Sequence, residues 1–281
     1  MPADLPTDGP LPNGRATSRG SEEPLLKVRG LTKVYGRQVH GQRPALDDVN
    51  LQLGRGQTLG LVGPSGSGKS TLARCLTFFE EPTAGEVWFE SRNLWSLDGR
   101  DRRRMRAEIQ IIFQEPAASL NPRFTAAEIV AEPLAIQQRG DRRARRERAV
   151  SLMETVGLAR AAAGKRAHEF SGGERQRLAI ARALVLHPKL LILDESFSGL
   201  DQALETQICG LLKELRQRLG LTMILITHDL RLAAEMAGEI AVMESGRIVE
   251  HALTGELFAH PRHASTRALL AATLALDWKP L

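Results

Sequence analysis

The stretch that leaves this chain the fewest choices of fold is Gly63-Pro64-Ser65-Gly66-Ser67-Gly68-Lys69-Ser70-Thr71. It fits the spacing G-x-x-x-x-G-K-[ST] of a phosphate-binding loop, and its flanks have the character that such a loop joins. Thr58 to Val62 is short, apolar and bounded by glycines, as a strand covered on both faces should be. Beyond the loop, Leu72, Cys75, Leu76 and Phe79 recur at i, i+3, i+4 and i+7, the stripe of an amphipathic helix. A strand feeding a glycine loop that opens a helix turns backbone N–H groups and the positive helix end onto the phosphates of a nucleotide. Lys69 would reach the β- and γ-phosphates, and the Ser70 hydroxyl would hold Mg²⁺.

Such a loop names a class of ligand without naming the machine, so the rest of the chain has to do that. At 281 residues there is room for one large domain or two small ones, and 42% hydrophobic with 25% charged residues is ordinary for a globular protein. No apolar run approaches the roughly 18 residues of a membrane-spanning helix, and no basic segment followed by an apolar core marks a secretion signal. Cys75 and Cys209 read as small buried groups on helices rather than a disulfide framework, which suits a reducing cytosol. The net charge of +5 raises the question of nucleic acid. Much of the positive charge lies in two clusters, Arg100 to Arg106 and Arg139 to Arg148, and neither interleaves aromatic residues that stack on bases. The reading is therefore no specific nucleic acid but solvated helix faces, with contact to anionic lipid headgroups or a partner protein as their functional use.

Residues 1–23 are rich in Pro, Gly, Ser and Asp and read as a disordered tail. Leu25 to Val28, Ala45 to Leu53 and Gly85 to Phe89 suggest half-buried antiparallel strands beside the nucleotide core. Ile109 to Phe113 is a further strand, ended by Gln114. From about residue 117 to 186 the pattern is helical, with Ala149, Leu152, Met153 and Val156 closed by Gly157. Strand character returns at Leu190 to Leu193 and Leu221 to Ile226, and a hairpin is expected around Glu244-Ser245-Gly246. The expected fold is α/β: a P-loop core with a mainly parallel sheet, an antiparallel β subdomain and an inserted α-helical subdomain. One main unit would span 24–252, followed by a helical extension over 253–281.

Ligands of open α/β sheets sit at the carboxyl ends of strands, and here those ends are polar. Asp194 would be a Mg²⁺-associated carboxylate and Glu195 the base that polarises attacking water. Gln114 and His228 follow other strands and could touch water, metal or γ-phosphate. Ser171-Gly172-Gly173-Glu174 opens a second helix with a capping serine and two glycines that expose N–H groups. One chain already has one phosphate cradle, so a second suggests that the γ-phosphate is closed from another subunit.

With these residues the sequence resembles the ATP-binding subunits of ABC transporters. The glycine loop resembles their Walker A motif, Leu190 to Glu195 the Walker B, Gln114 the Q-loop and Ser171-Gly172-Gly173-Glu174-Arg175-Gln176 the signature. Ser198-Gly199-Leu200-Asp201 is similar to the D-loop, His228 to the switch histidine and Tyr35 to the aromatic that stacks on adenine. The resemblance implies ATP and Mg²⁺ as cofactors, Ser70, Gln114 and Asp194 around the metal, Glu195, His228, Gln114 and Lys69 in catalysis, and head-to-tail pairing of two ATPase subunits.

A narrower resemblance, to the peptide and nickel import branch, rests on Gln114-Glu115-Pro116 followed by Ser119-Leu120-Asn121-Pro122-Arg123, and on the tail from His260 to Leu270. Glu174, Ser196 and Gly199 depart from the commoner family residues, and Ala264-Ser265 stands where that branch has Pro-Tyr. The implied function is ATP-driven uptake of oligopeptides or dipeptides at the cytoplasmic face of the membrane. Its partners would be two permeases, a sister or identical ATPase subunit and, indirectly, a solute-binding protein. The rivals are import of nickel or another small solute, a DNA-associated ABC-type ATPase that uses the arginine clusters, and a small-molecule kinase, which would leave the signature and His228 without a purpose.

Overall fold

The structure, a computed structural model, describes residues 23–36, 43–114 and 119–274. The expected tail, apart from Glu23, and residues 115–118 of the importer-like segment lie outside the described residues. In chain order the strands are β1 (Leu26–Lys33), β2 (Leu46–Leu53), β3 (Thr58–Val62), β4 (Ala84–Phe89), β5 (Arg92–Asn93), β6 (Ile109–Ile112), β7 (Leu190–Asp194), β8 (Thr222–Thr227), β9 (Glu239–Glu244) and β10 (Arg247–Leu253). The helices are α1 (Lys69–Leu76), α2 (Gly99–Glu108), α3 (Ala126–Ile136), α4 (Arg142–Thr155), α5 (Gly172–Leu184), α6 (Gln202–Leu219), α7 (Leu230–Met236), α8 (Thr254–Ala259) and α9 (Ala264–Leu274).

The larger sheet has the order β10-β9-β3-β8-β7-β6, parallel throughout except for the edge strand β10. Every residue of β3, β7 and β8 is buried, which is why these strands read as unbroken apolar runs. Successive side chains of a strand point to opposite faces. Leu191, Leu193, Met223 and Leu225 accordingly join one core with α3 to α6, while Leu190, Ile192, Ile224 and Ile226 join another with α1 and the smaller sheet. That smaller sheet, β2-β1-β4-β5, is antiparallel, and β2 alternates buried and exposed positions as a strand with one wet face should. Its pairing with β1 slips between Val28 and Leu31, where Gly30 adopts φ +57°. The strand thus runs on through this irregularity to Lys33, past Val28 where the sequence expectation ends.

The helix after the phosphate-binding loop is a turn shorter than its apolar stripe. Phe78, at φ +63°, turns into the core, and Phe79 lies beyond the end of α1, 63% exposed and edge-on to Phe113 at 5.3 Å. The hairpin falls where expected, with Ser245 and Gly246 at φ +49° and +82° supplying the left-handed pair that a two-residue turn requires.

Beyond it, the chain returns through α8 and α9, and Glu250 of β10 holds the return. Its carboxylate accepts hydrogen bonds from the Arg262 and His263 N–H groups, at 2.9 and 2.8 Å, and from the buried Thr266 hydroxyl. Burial pushes the Glu250 carboxyl up, but these three hydrogen bonds outweigh it and leave the group below its ordinary value near 4.5. Because the folded value is depressed, the stabilisation is present above the ordinary value and is lost as pH falls through the folded one. Glu250→Ala should cost about 1–3 kcal/mol by leaving the buried Thr266 hydroxyl and two part-buried N–H groups unpaired. Limited proteolysis should then release 260–274 at neutral pH, as acid does in the parent chain; equal cleavage of both at neutral pH would refute the clasp.

Candidate nucleotide site

Because β3, β8, β7 and β6 run parallel, their carboxyl ends share one edge of the sheet. The glycine loop, Thr227-His228, Asp194-Glu195 and Gln114 all emerge there. The loop is pressed hard against its neighbours. A Cβ at Gly63 (φ +153°) would lie 2.1 Å from the Met243 carbonyl oxygen, and one at Gly68 (φ +105°) 2.4 Å from that of Ala45. Only glycine fits at either position, so β9 and the start of β2 shape the cradle. The Gly246 N–H donates to the Ser67 carbonyl at 2.9 Å and fastens the loop to the hairpin.

Gly68 caps α1 with no side-chain hydrogen bond, leaving first-turn N–H groups free for an anion. Pro64, Ser65 and Gly66 are exposed at the tip of the loop, while Ser67 and Lys69 are buried beneath it. The Lys69 ammonium donates to the Gly63 and Pro64 carbonyls at 2.9 Å each and approaches Ser67 Oγ at 3.4 Å. Burial lowers its pKa, against the opposing pull of Glu195 and Asp194. The Ser70 hydroxyl donates to Asp194 Oδ1 at 2.9 Å, joining residues from α1 and β7. Burial raises the Asp194 carboxyl, partly offset by that hydrogen bond. A hydroxyl and a carboxylate oxygen side by side are the hard donors that Mg²⁺ takes, and the glycine backbone fits phosphate, so the residues present suit Mg²⁺-ATP.

Glu195 is held at φ +47°, a conformation that costs a residue with a side chain on the order of 1–2 kcal/mol. Two backbone bonds keep it there: its N–H donates to the Ile226 carbonyl at 3.0 Å, and its carbonyl accepts from Ser198 N–H at 3.1 Å. His228 is exposed just past β8, before α7, whose N-terminus Asp229 caps. Gln114 is exposed past β6. Tyr35, 45% exposed beyond β1, comes beside the first turn of α1: its hydroxyl donates to the Glu80 carboxylate and lies 3.5 Å from Thr71 Oγ1.

The structure therefore gathers Tyr35, Gly63 to Thr71 and Asp194 by direct contacts, with Glu195, His228 and Gln114 along the same edge. Ser171, Gly172, Gly173 and Glu174 form no part of this group. They begin α5, where Ser171 and Glu174 make a reciprocal capping box: the Ser171 N–H donates to the Glu174 carboxylate at 2.8 Å, and the Glu174 N–H to Ser171 Oγ at 3.3 Å. Ser171, Gly172 and Gly173, together with Gly199, Asp201 and Leu204, line an open hollow of about 560 Å³ to which no residue of the glycine loop contributes. The glycine loop and the start of α5 are thus two separate places on one chain.

The sequence places Gln176 in the signature segment without a role of its own. Its buried side-chain amide donates to the Ser196 carbonyl at 3.0 Å and ties α5 to the residue after Glu195. The signal was present: Gln176 begins the buried stripe Gln176, Ala179, Ile180, Ala183, and a polar residue on such a stripe needs a partner.

Residues 46–198 match the family model described as ABC transporter. A putative peptide import ATP-binding protein of Brucella ovis is 46% identical over 92% of this chain and 81% of its own length. The dipeptide transport ATP-binding protein of Escherichia coli is 43% identical over 91% of this chain and 78% of its own. Among solved structures, a dimeric ATP-binding cassette in a post-hydrolysis state bound to ADP and Pi superposes with a TM-score of 0.71 and 32% identity, covering 82% of this chain and 98% of that one. The cbiO1 protein of Clostridium perfringens, part of an ABC transporter complex, gives a TM-score of 0.76 at 30% identity, over 85% of this chain and 92% of its own. The chain belongs to the ABC transporter family, as an ATP-hydrolysing cassette.

Proposed function

We propose that this cassette drives the import of oligopeptides or dipeptides through two partner permeases, pairing head to tail with an identical or sister ATPase subunit. Tyr35 stacks on adenine, the backbone of Gly63 to Thr71 and Lys69 grip the phosphates, and Ser70, Asp194 and Gln114 hold Mg²⁺. The metal, when bound, neutralises charge on the β- and γ-phosphates. Glu195 takes a proton from the attacking water, and His228 registers the γ-phosphate. Ser171 to Glu174 of the second subunit close over the nucleotide. Support for cargo and partners comes from the peptide and dipeptide transport relatives, whose likeness extends over nine-tenths of the chain.

The observation that carries the coupling role is an apolar groove of about 540 Å³ between β6, α3 and α5. Phe79, Phe113, Ile111, Ile136, Ala183 and Leu186 line it, and Phe79 and Ile136 are 63% and 57% exposed. Large apolar groups are costly to leave in water, and this groove begins one residue from Gln114. A cytoplasmic helix of a permease seated there would press on the segment leading to the metal site. Among the described residues no helix is long and apolar enough to cross a membrane; in this reading the permease supplies the path and the cassette sits at its cytoplasmic face.

Phe79→Asp combined with Ile136→Asp should leave the basal ATPase of the isolated chain within about twofold and lower peptide uptake by reconstituted transporter at least about tenfold. Unchanged uptake would remove the groove from this role. Uptake of nickel in place of peptide would overturn the cargo.

A further inference from the structure

The two arginine-rich segments, 99–108 and 139–148, carry eleven arginines against four acidic residues, a surplus of seven where the whole chain has a net charge of +5. All the net positive charge of the protein is therefore here, and the remainder is slightly negative. The fold brings the two segments together. The Arg103 guanidinium of α2 donates to the Ile136 carbonyl at the end of α3, and the Gln137 amide donates back to the Arg103 carbonyl at 2.9 Å. The Arg145 guanidinium of α4 reaches the Arg139 carbonyl at 3.0 Å, and Arg139 itself donates to the Leu186 carbonyl at 3.2 Å. Most of the side chains on this ridge are exposed. The pairs formed within α2 and within α4, Arg104 with Asp101 and Arg143 with Glu147, lie in solvent, where they are weak and screened.

This ridge borders the apolar groove, because Arg106, Ile136, Gln137 and Leu186 are also among the groove's lining residues. We propose that it is a membrane-contact surface that takes the anionic headgroups of phospholipids surrounding the permease. The orientation rests on the reading of the groove as the permease seat: what flanks that seat must face the bilayer. The chemistry rests on the ridge itself. Guanidinium groups bind phosphate oxygens in pairs, and their long stems let a rigid helix follow a fluid surface. Nucleic acid is the poorer partner, since neither helix carries an aromatic residue for stacking.

The test uses the full chain with vesicles of phosphatidylcholine alone or with about one third phosphatidylglycerol, measured by co-sedimentation at low and high salt. Binding should require the anionic lipid and vanish at about 0.5 M salt. Neutralising three exposed arginines of α4, Arg142→Gln, Arg143→Gln and Arg146→Gln, should weaken it by about a hundredfold, at roughly fivefold per charge. ATPase activity and melting temperature should stay unchanged, since none of the three touches the nucleotide site. Equal binding to neutral vesicles, or undiminished binding by the triple variant, would overturn the proposal. So would duplex DNA that binds more tightly than the vesicles and stimulates ATP hydrolysis. No permease is present in this assay, so failure of the groove reading would appear in the uptake experiment and failure of the lipid surface only here.

Discussion

Glu195→Gln is expected to bind Mg²⁺-ATP as tightly as the parent chain and to hydrolyse it between about a hundred and ten thousand times more slowly, the range that one general base contributes. The substitution isolates basicity because the unusual geometry at Glu195 belongs to the backbone. The φ of +47° is held by the Ile226 carbonyl and the Ser198 N–H, neither of which involves the side chain. An amide is nearly isosteric with the carboxylate, so position survives while the proton acceptor is lost. Asp194→Asn should behave differently. It weakens the acceptor for the Ser70 hydroxyl and removes a charge from the metal position, so nucleotide affinity should fall with Mg²⁺ present and change little without it. Single-turnover phosphate release with parallel binding of a fluorescent ATP analogue separates the two effects. Undiminished turnover in Glu195→Gln would end that residue's role as base and move the search to His228 or Gln114, which leave the same edge of the sheet.

How much of this was legible beforehand follows from what local patterns can encode. The strands β3, β7 and β8 were readable because both faces of a parallel sheet are covered, which writes burial into every residue of the run. The glycine loop was readable because its backbone conformation excludes other residues. The wall that excludes them, formed by the Met243 and Ala45 carbonyls, was not, since those residues sit far from the loop in sequence. The stripe from Leu72 to Phe79 misled because periodicity reports a preferred face and does not mark where a helix stops. Phe78 leaves the helix through a left-handed conformation that an apolar pattern does not announce. Glu250 is a polar residue on an edge strand, and its importance lies in donors 12 to 16 positions away. The arginine clusters were visible individually, yet only the contact between Arg103 and the end of α3 makes them one surface.

Ser171→Glu should abolish turnover by at least about a hundredfold while leaving ATP binding by the isolated chain within about twofold, because in the proposed head-to-tail pair it sets a carboxylate against the γ-phosphate of a nucleotide held by the other subunit. The geometry makes this separation sharp. Ser171 is exposed at the start of α5, in a hollow to which no residue of the glycine loop contributes, so a charge placed there has no short path to its own chain's phosphates. Ser171→Ala is the necessary comparison: it removes the hydroxyl that accepts from the Glu174 N–H and costs about 1 kcal/mol of helix capping without adding charge. In a Glu195→Gln background, where ATP is bound but not consumed, the parent Ser171 should give an ATP-dependent pair of ATPase subunits in gel filtration. Ser171→Ala should weaken that pair and Ser171→Glu eliminate it. If Ser171→Glu instead impairs nucleotide binding by the lone chain as strongly as it impairs turnover, both half-sites belong to a single copy, and closure by a second subunit is wrong.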